Sequence, residues 1–173
     1  HIVSPDGADP VTSCGMPVSV SARFDPQEAH GVLVVIAGFG VSLHAKGSLL
    51  TAFGKAARQV RAVGGIEAGA WLLGRAGLLR GRAATTHWED FEDFRTAFPE
   101  TDLRPDRYVI SDRVFTTGGA SPTFDLMLHL IRVRQGMSLA LDVASVFISD
   151  QSRSPGDAQP LVSLGHIDRR EPR

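Results

Sequence analysis

The chain has 173 residues, 43% hydrophobic and 21% charged, enough for one globular domain with a sizeable core and too apolar for a disordered majority. Its 18 basic and 19 acidic residues leave a net charge of -1, with the basic residues scattered, so nothing argues for a general nucleic-acid-binding surface. One cysteine, Cys14, excludes an intrachain disulfide framework and a multi-cysteine metal site, and no apolar run is long enough to span a membrane, so the cytoplasm is the expected compartment.

Taken in order, His1–Gly7 reads as a strand end and a turn, and the alternation of Val18 and Val20 predicts a short edge strand within Pro10–Ser21. Gly31–Ala37 is a continuous β-branched run, the pattern of a parallel strand covered on both faces, and it ends in the sharp turn Gly38-Phe39-Gly40. Ser48–Val63 carries the apolar stripe Leu49, Leu50, Phe53, Ala57 and Val60 of an amphipathic helix. The stretch Arg61–Leu79, around which the chain is organised, then crosses Gly64-Gly65 and turns at Glu67 into a helix over Gly69–Ala76. Arg82–Thr86 is a strand candidate and Glu89–Ala97 a helix closed by Pro99. Arg107–Ile110 and Arg113–Thr116 form a hairpin, and the turn Gly118–Pro122 opens a helix over Thr123–Arg134. Ser138–Ser149 is a further helix with Leu141, Ala144 and Phe147 on one side, and from Asp150 on, Ser, Pro, Gly and Arg predict an extended or poorly ordered tail. The alternation predicts an α/β, three-layer open sandwich with a mostly parallel sheet and its sites at the carboxyl ends of the strands.

Four turns are expected to meet there: Gly38–Gly40, Ile66–Gly69, Thr85–Glu89 and Gly118–Ser121. Their polar side chains are chiefly Glu67, His87, Glu89, Thr117 and Ser121. Backbone N–H groups at Gly40 and Ala68 could hold a carboxylate, Glu67 could pair with an ammonium, and Trp88 could wall a quaternary amine. Each has a plainer reading: a solvated turn glutamate for Glu67, core packing for Trp88, a structural hydrogen bond for His87. His87 as a general base finds no serine or cysteine at the turn to activate, and no second carboxylate is placed to make a glycosidase-like pair. His87-Trp88-Glu89, with His44 and His129 unplaced, is too thin a pattern for a metal site, and no cofactor is implied, since Gly38-Phe39-Gly40 and Gly74-Arg75-Ala76-Gly77 match neither a dinucleotide fingerprint nor a phosphate loop.

The run Gly64-Gly-Ile-Glu-Ala-Gly-Ala-Trp-Leu-Leu-Gly-Arg-Ala-Gly-Leu-Leu-Arg-Gly-Arg-Ala-Ala-Thr-Thr-His-Trp-Glu89 resembles the amino-terminal domain of AraC-type transcriptional regulators, which is glutamine-amidotransferase-like, or PfpI-like. Thr116–Ile131, Ala140–Ile148 and Arg153–Gln159 continue the likeness, which covers Ser4–Gln159 and is nearest to the arginine-, carnitine- and glycine-betaine-responsive group. The resemblance implies a flavodoxin-like sheet of the class I glutamine-amidotransferase kind, an effector-sensing domain over residues 1–150, and a tail or linker over 151–173. In the enzymatic relatives the position of Glu67 is a cysteine, while the histidine matches His87; a carboxylate replaces that thiolate poorly, so no catalytic residue is assigned. The implied function is binding of a small nitrogenous metabolite without turnover, at Glu67, Ala68, Gly38, Phe39, Gly40, His87, Trp88, Glu89, Gly118 and Gly119. The resemblance also implies a homodimer, an additional strand and helix ahead of His1, and DNA contact only through a helix-turn-helix domain beyond this chain. Two other classes stay open: a hydrolase or isomerase using Glu67 and His87 as base and acid, and a dimerisation module with a vestigial pocket.

Overall fold

A computed structural model describes residues 1–38, 40–41, 45–149 and 153–159. Its elements are β1 (Val3–Ser4), β2 (Ala22–Arg23), β3 (Val32–Ala37), α1 (Gly47–Gln59), β4 (Ala62–Glu67), α2 (Gly69–Arg75), β5 (Ala83–Ala84), a 3-10 turn (Trp88–Asp90), α3 (Phe91–Ala97), β6 (Asp102–Leu103), β7 (Tyr108–Ser111), β8 (Val114–Thr117), α4 (Ala120–Gln135) and α5 (Met137–Val146). The main sheet has the order β3-β4-β8-β7, with β3, β4 and β8 parallel and β7 antiparallel to β8. β1 with β2, and β5 with β6, make two short parallel pairs.

The layers follow from the side-chain period of the strands. Leu33 and Val35 of β3 and Val63 of β4 face a core built with Leu49, Phe53 and Ala57 of α1, Leu72 and Leu73 of α2 and Phe94 of α3. The opposite face gathers Ile66, Tyr108 and Phe115 under Leu126 and Leu130 of α4, against which α5 packs. The glycines of β4 make this possible. A Cβ on Gly64 would overlap the ring of Phe115, and one on Gly65 would lie 2.9 Å from the backbone nitrogen of Ala70, so α2 sits close on the sheet. Arg113 closes α1 by donating from Nη1 to the Val60 carbonyl at 2.9 Å and from Nη2 to the Ala57 carbonyl, satisfying acceptors a helix end leaves open.

Several expectations are corrected. The described residues cover β3 on one face only: Val32, Val34 and Ile36 are exposed, Ile36 by 80%, because on that side of the sheet the helix α4 lies over β4, β7 and β8. The helix over Ser48–Val63 stops at Gln59, since Ala62 and Val63 are taken by the ladder with β3. No strand forms at Val18–Val20; a bridge between Val11 and Pro17 closes a local turn instead. Leu141 and Phe147 of the last helical stretch are exposed, and Ala140 and Ala144 make the buried side of α5. The helix after Gly118 starts at Ala120, with Pro122 accommodated in its first turn. Residues 153–159 are not a loose tail: they dock on the domain through the Asp106–Ala158 bridge and end in a buried Gln159.

Candidate functional site

β3 and β4 run parallel and in register to their ends, Ala37 opposite Glu67, so their exit turns open at one edge of the sheet. Glu67 leaves β4 at φ +55°, a left-handed backbone that a side chain larger than glycine adopts at a cost of about 1 kcal/mol. The kink sends the chain directly into α2, where Gly69 is required because a Cβ there would overlap the Val35 carbonyl. The result is an elbow that presents the Glu67 side chain half-exposed beside Gly38.

Around this elbow lies a cavity of about 320 Å³. Gly38, Gly40 and Val41 form one wall, and Glu67, Ala68, Trp71 and Arg75 the second. His87, Glu89, Asp90 and Asp93 close it from the turn after β5 and the start of α3. Among the described residues four carboxylates thus face one guanidinium, which biases the potential inside toward negative. Trp71 is held firmly: its indole N–H donates to Asp90 Oδ2 at 3.0 Å, and its ring meets Phe94 and Phe98 edge-on at centroid distances of 5.1 and 5.5 Å. His87 Nδ1 accepts from the Glu89 backbone N–H at 3.4 Å and lies 3.7 Å from Glu89 Oε2. Among the described residues the Glu67 carboxylate has no hydrogen-bond or ion-pair partner.

Three of the four expected turns therefore meet. Glu67, Ala68, Gly38, Gly40, His87 and Glu89 all line the cavity. Phe39 lies outside the described residues, as does His44. The fourth turn does not reach the cavity: Gly118 is packed against the Gln159 amide, Gly119 sits behind the His87 ring, and Ser121 accepts a hydrogen bond from Arg107 at 2.7 Å. Thr117 is likewise engaged by Thr123 at 2.7 Å. Trp88 stacks at a tilt against His87 with centroids 5.5 Å apart and is not a cavity wall; the tryptophan that is one is Trp71. Trp71, Arg75, Asp90 and Asp93 are the residues sequence reasoning missed. Trp71 and Arg75 stand four apart on α2, which puts them on one face, and Asp90 and Asp93 follow His87 closely enough to share its turn. Cys14 is exposed and does not line the cavity, and among the described residues no group of three or more His, Cys, Asp or Glu side chains could hold a metal ion.

A model of the DJ-1/PfpI family matches residues 1–133. The chain belongs to the DJ-1/PfpI family. Its three-layer architecture is the class I glutamine-amidotransferase-like fold of that family, and its relatives include AraC-type regulators. It is 33% identical over 161 residues to the HTH-type transcriptional regulator CdhR of Pseudomonas aeruginosa, a match covering 93% of this chain and 48% of CdhR. The chain thus spans about half the length of the curated relatives it matches. It superposes on the crystal structure of an AraC family transcriptional regulator from Pseudomonas putida with a TM-score of 0.73 and 25% identity, over 84% of this chain and 78% of that one. The DJ-1/PfpI relatives also include an enzyme, an isonitrile hydratase of Pseudomonas putida, 30% identical over 141 residues, 81% of this chain and 61% of the hydratase. Among the described residues no helix is long and apolar enough to cross a membrane.

Proposed function

We propose that this chain is the effector-sensing domain of a transcriptional regulator, and that its cavity binds a small cationic, nitrogen-containing metabolite without turning it over. One observation carries the reading: the strained elbow of the DJ-1/PfpI fold presents a carboxylate, Glu67, with no partner among the described residues, into a cavity lined by three further carboxylates. Strain retained at a functional turn is tolerated when the side chain it presents has work to do. Glu67 and Asp93 offer charge to an ammonium or guanidinium, and the rigid face of Trp71 adds cation–π attraction and excludes water. The resemblance to arginine-, carnitine- and betaine-responsive regulators gives the probes.

Thermal unfolding of the chain with L-arginine, carnitine or glycine betaine, against succinate as an anionic control, tests it. The melting temperature should rise with the concentration of at least one cationic probe and not with succinate, since a ligand of the folded state stabilises it in proportion to occupancy. Equal stabilisation by succinate, or none by any cationic probe, contradicts the reading. The enzymatic alternative, with Glu67 and His87 as base and acid, draws on the isonitrile hydratase likeness. Recovery of the bound probe unchanged after prolonged incubation favours sensing over it.

The proposal extends to assembly. A homodimer places two tethered helix-turn-helix regions on two half-sites, and sequence-specific DNA contact belongs to those regions and not to residues 1–159. The exposed Val32, Val34 and Ile36, together with the outer edge of β3, fit the expectation of one further strand and helix completing the sheet there. A regulator of this kind acts in the cytoplasm.

A further inference from the structure

Residues 153–159 pack beside Pro105–Arg107 and are pinned through their backbone. Arg107 N–H donates to the Pro155 carbonyl at 3.1 Å, Gln159 N–H to the Pro105 carbonyl at 2.8 Å, and Arg153 N–H to Asp125 Oδ1 at 3.2 Å. The segment ends in a side chain that needs more explanation than anchorage. Gln159 is only 4% exposed, and its amide nitrogen faces three acceptors: Thr85 Oγ1 at 2.9 Å, the Thr86 carbonyl at 3.0 Å and the Asp106 carbonyl at 2.9 Å. Gly118 leaves the space, since a Cβ there would overlap the amide. An apolar side chain would anchor a segment without the desolvation cost of a primary amide. An amide aimed at converging oxygens holds well only while those oxygens keep their places.

Two of the three acceptors belong to Thr85 and Thr86, buried residues that immediately precede His87 of the cavity wall. Thr86 Oγ1 approaches the Glu67 carbonyl at 3.5 Å, and the next residue is His87. We propose that Gln159 is a positioning residue that couples the cavity to the segment continuing into residues 160–173: the Thr85–Thr86 segment is held from one side by the Glu67 carbonyl and its link to His87, and from the other by the Gln159 amide. Resting on the reading of the cavity as a binding site, the coupling is reciprocal. Whatever a ligand adds to the hold on Gln159, an intact Gln159 adds to the hold on the ligand, by the same factor.

Amide hydrogen exchange on the whole chain tests this, first without ligand. In Gln159→Leu, and in the milder Gln159→Asn whose amide is one methylene short, the Arg107 amide should exchange at least about tenfold faster. So should two amides on the cavity side: Thr85, bonded to Thr116 Oγ1, and Asp90, bonded to the His87 carbonyl. The Val63 amide, bonded to the Arg113 carbonyl, should be unchanged and marks an intact fold. Acceleration confined to Arg107, with Thr85 and Asp90 as protected as before, overturns the coupling and leaves a simple anchor. If Gln159→Leu loosens Val63 as well, Gln159→Asn decides alone. With saturating glycine betaine, carnitine or L-arginine, the Gln159 and Arg107 amides should slow, and the probe should bind Gln159→Asn more weakly. A probe that binds the unmodified chain with no change at these amides also overturns the proposal. Absence of binding by every probe overturns the cavity reading and not the ligand-free result, so the two failures are distinguishable.

Discussion

Two clusters of charge flank the Thr85–His87 segment, and they are handled in opposite ways. On the sheet's α4 side, Arg107 and Asp125 are 7% and 5% exposed and pair at 2.6–2.8 Å; Arg107 also donates to Ser121, and Asp125 Oδ1 accepts from the Arg153 backbone. Both Asp125 oxygens, and Nε and Nη2 of Arg107, are engaged by the chain itself. On the cavity side Glu67 stands on a strained backbone and Asp93 on an open helix turn, both exposed to the cavity and without a hydrogen-bond or ion-pair partner among the described residues. The first cluster is architecture. The second leaves electrostatic capacity unspent, and unspent charge in a concave, partly aromatic site is what a ligand of opposite charge needs.

The contrast breaks most visibly at the buried pair. Arg107→Met leaves the Asp125 carboxylate buried with its guanidinium partner gone, and should cost about 3–5 kcal/mol in denaturant unfolding. A loss near that of a surface ion pair would mean that the two clusters do not differ as described. Glu67→Gln should do the reverse: stability close to unchanged, and affinity for a cationic probe lowered by about 1–3 kcal/mol in titration calorimetry. Glu67→Gly sharpens the point, since glycine occupies φ +55° without strain: the fold should gain up to about 1 kcal/mol while probe binding is lost. Trp71→Phe keeps an aromatic ring against Phe94 and Phe98 but abolishes the bond to Asp90, for an expected cost of about 1 kcal/mol in stability and a measurable loss of probe affinity.

The smallest effect belongs to the architectural side. Tyr108, the one tyrosine, lies on β7 and is buried on the α4 face of the sheet, and burial pushes its phenol above the ordinary tyrosine value; Arg132 opposes the shift and Asp125 reinforces it. Because the folded state holds this proton more tightly, its contribution is full below the unfolded-state value and is lost as pH rises through the folded one. Ultraviolet titration should show the phenolate forming later in the folded chain than in the denatured chain.

How much of this was legible in the sequence depends on whether a residue's role is local. The strand-to-helix elbow at Glu67 is written in Gly64, Gly65 and Gly69, each of which admits a neighbour that a Cβ would displace, and the alternation of apolar runs and Gly-rich turns carries the layer order. The hairpin of β7 and β8 is equally local, its turn marked by Asp112 at φ +56°. Trp71 and Arg75 were hidden because an amphipathic helix segment reads as core on one side and solvent on the other, and only the placement of α3 turns part of that surface into a cavity wall. The docking of Gln159 is wholly non-local: a Ser-, Pro- and Gly-rich stretch looks like a tail until Thr85, Thr86 and Asp106 supply its partners from 53 to 74 residues away. Val32, Val34 and Ile36 misled in the other direction, since a β-branched run says that a strand prefers cover and not that the described elements provide it.

The central claim is that the carboxylate cavity at the Glu67 elbow is where a cation binds. Titrating the isotope-labelled chain with glycine betaine, carnitine and L-arginine in turn, and following amide and indole chemical shifts, locates any site directly. The account predicts saturable shifts, fitted by one dissociation constant, at Ala68, Glu89 and the Trp71 indole, with Val3, Phe24 and Val34 at the groove between β1 and β3 unmoved. Shifts that cluster at that groove instead, or a Trp71 indole that stays fixed at saturation, would contradict it.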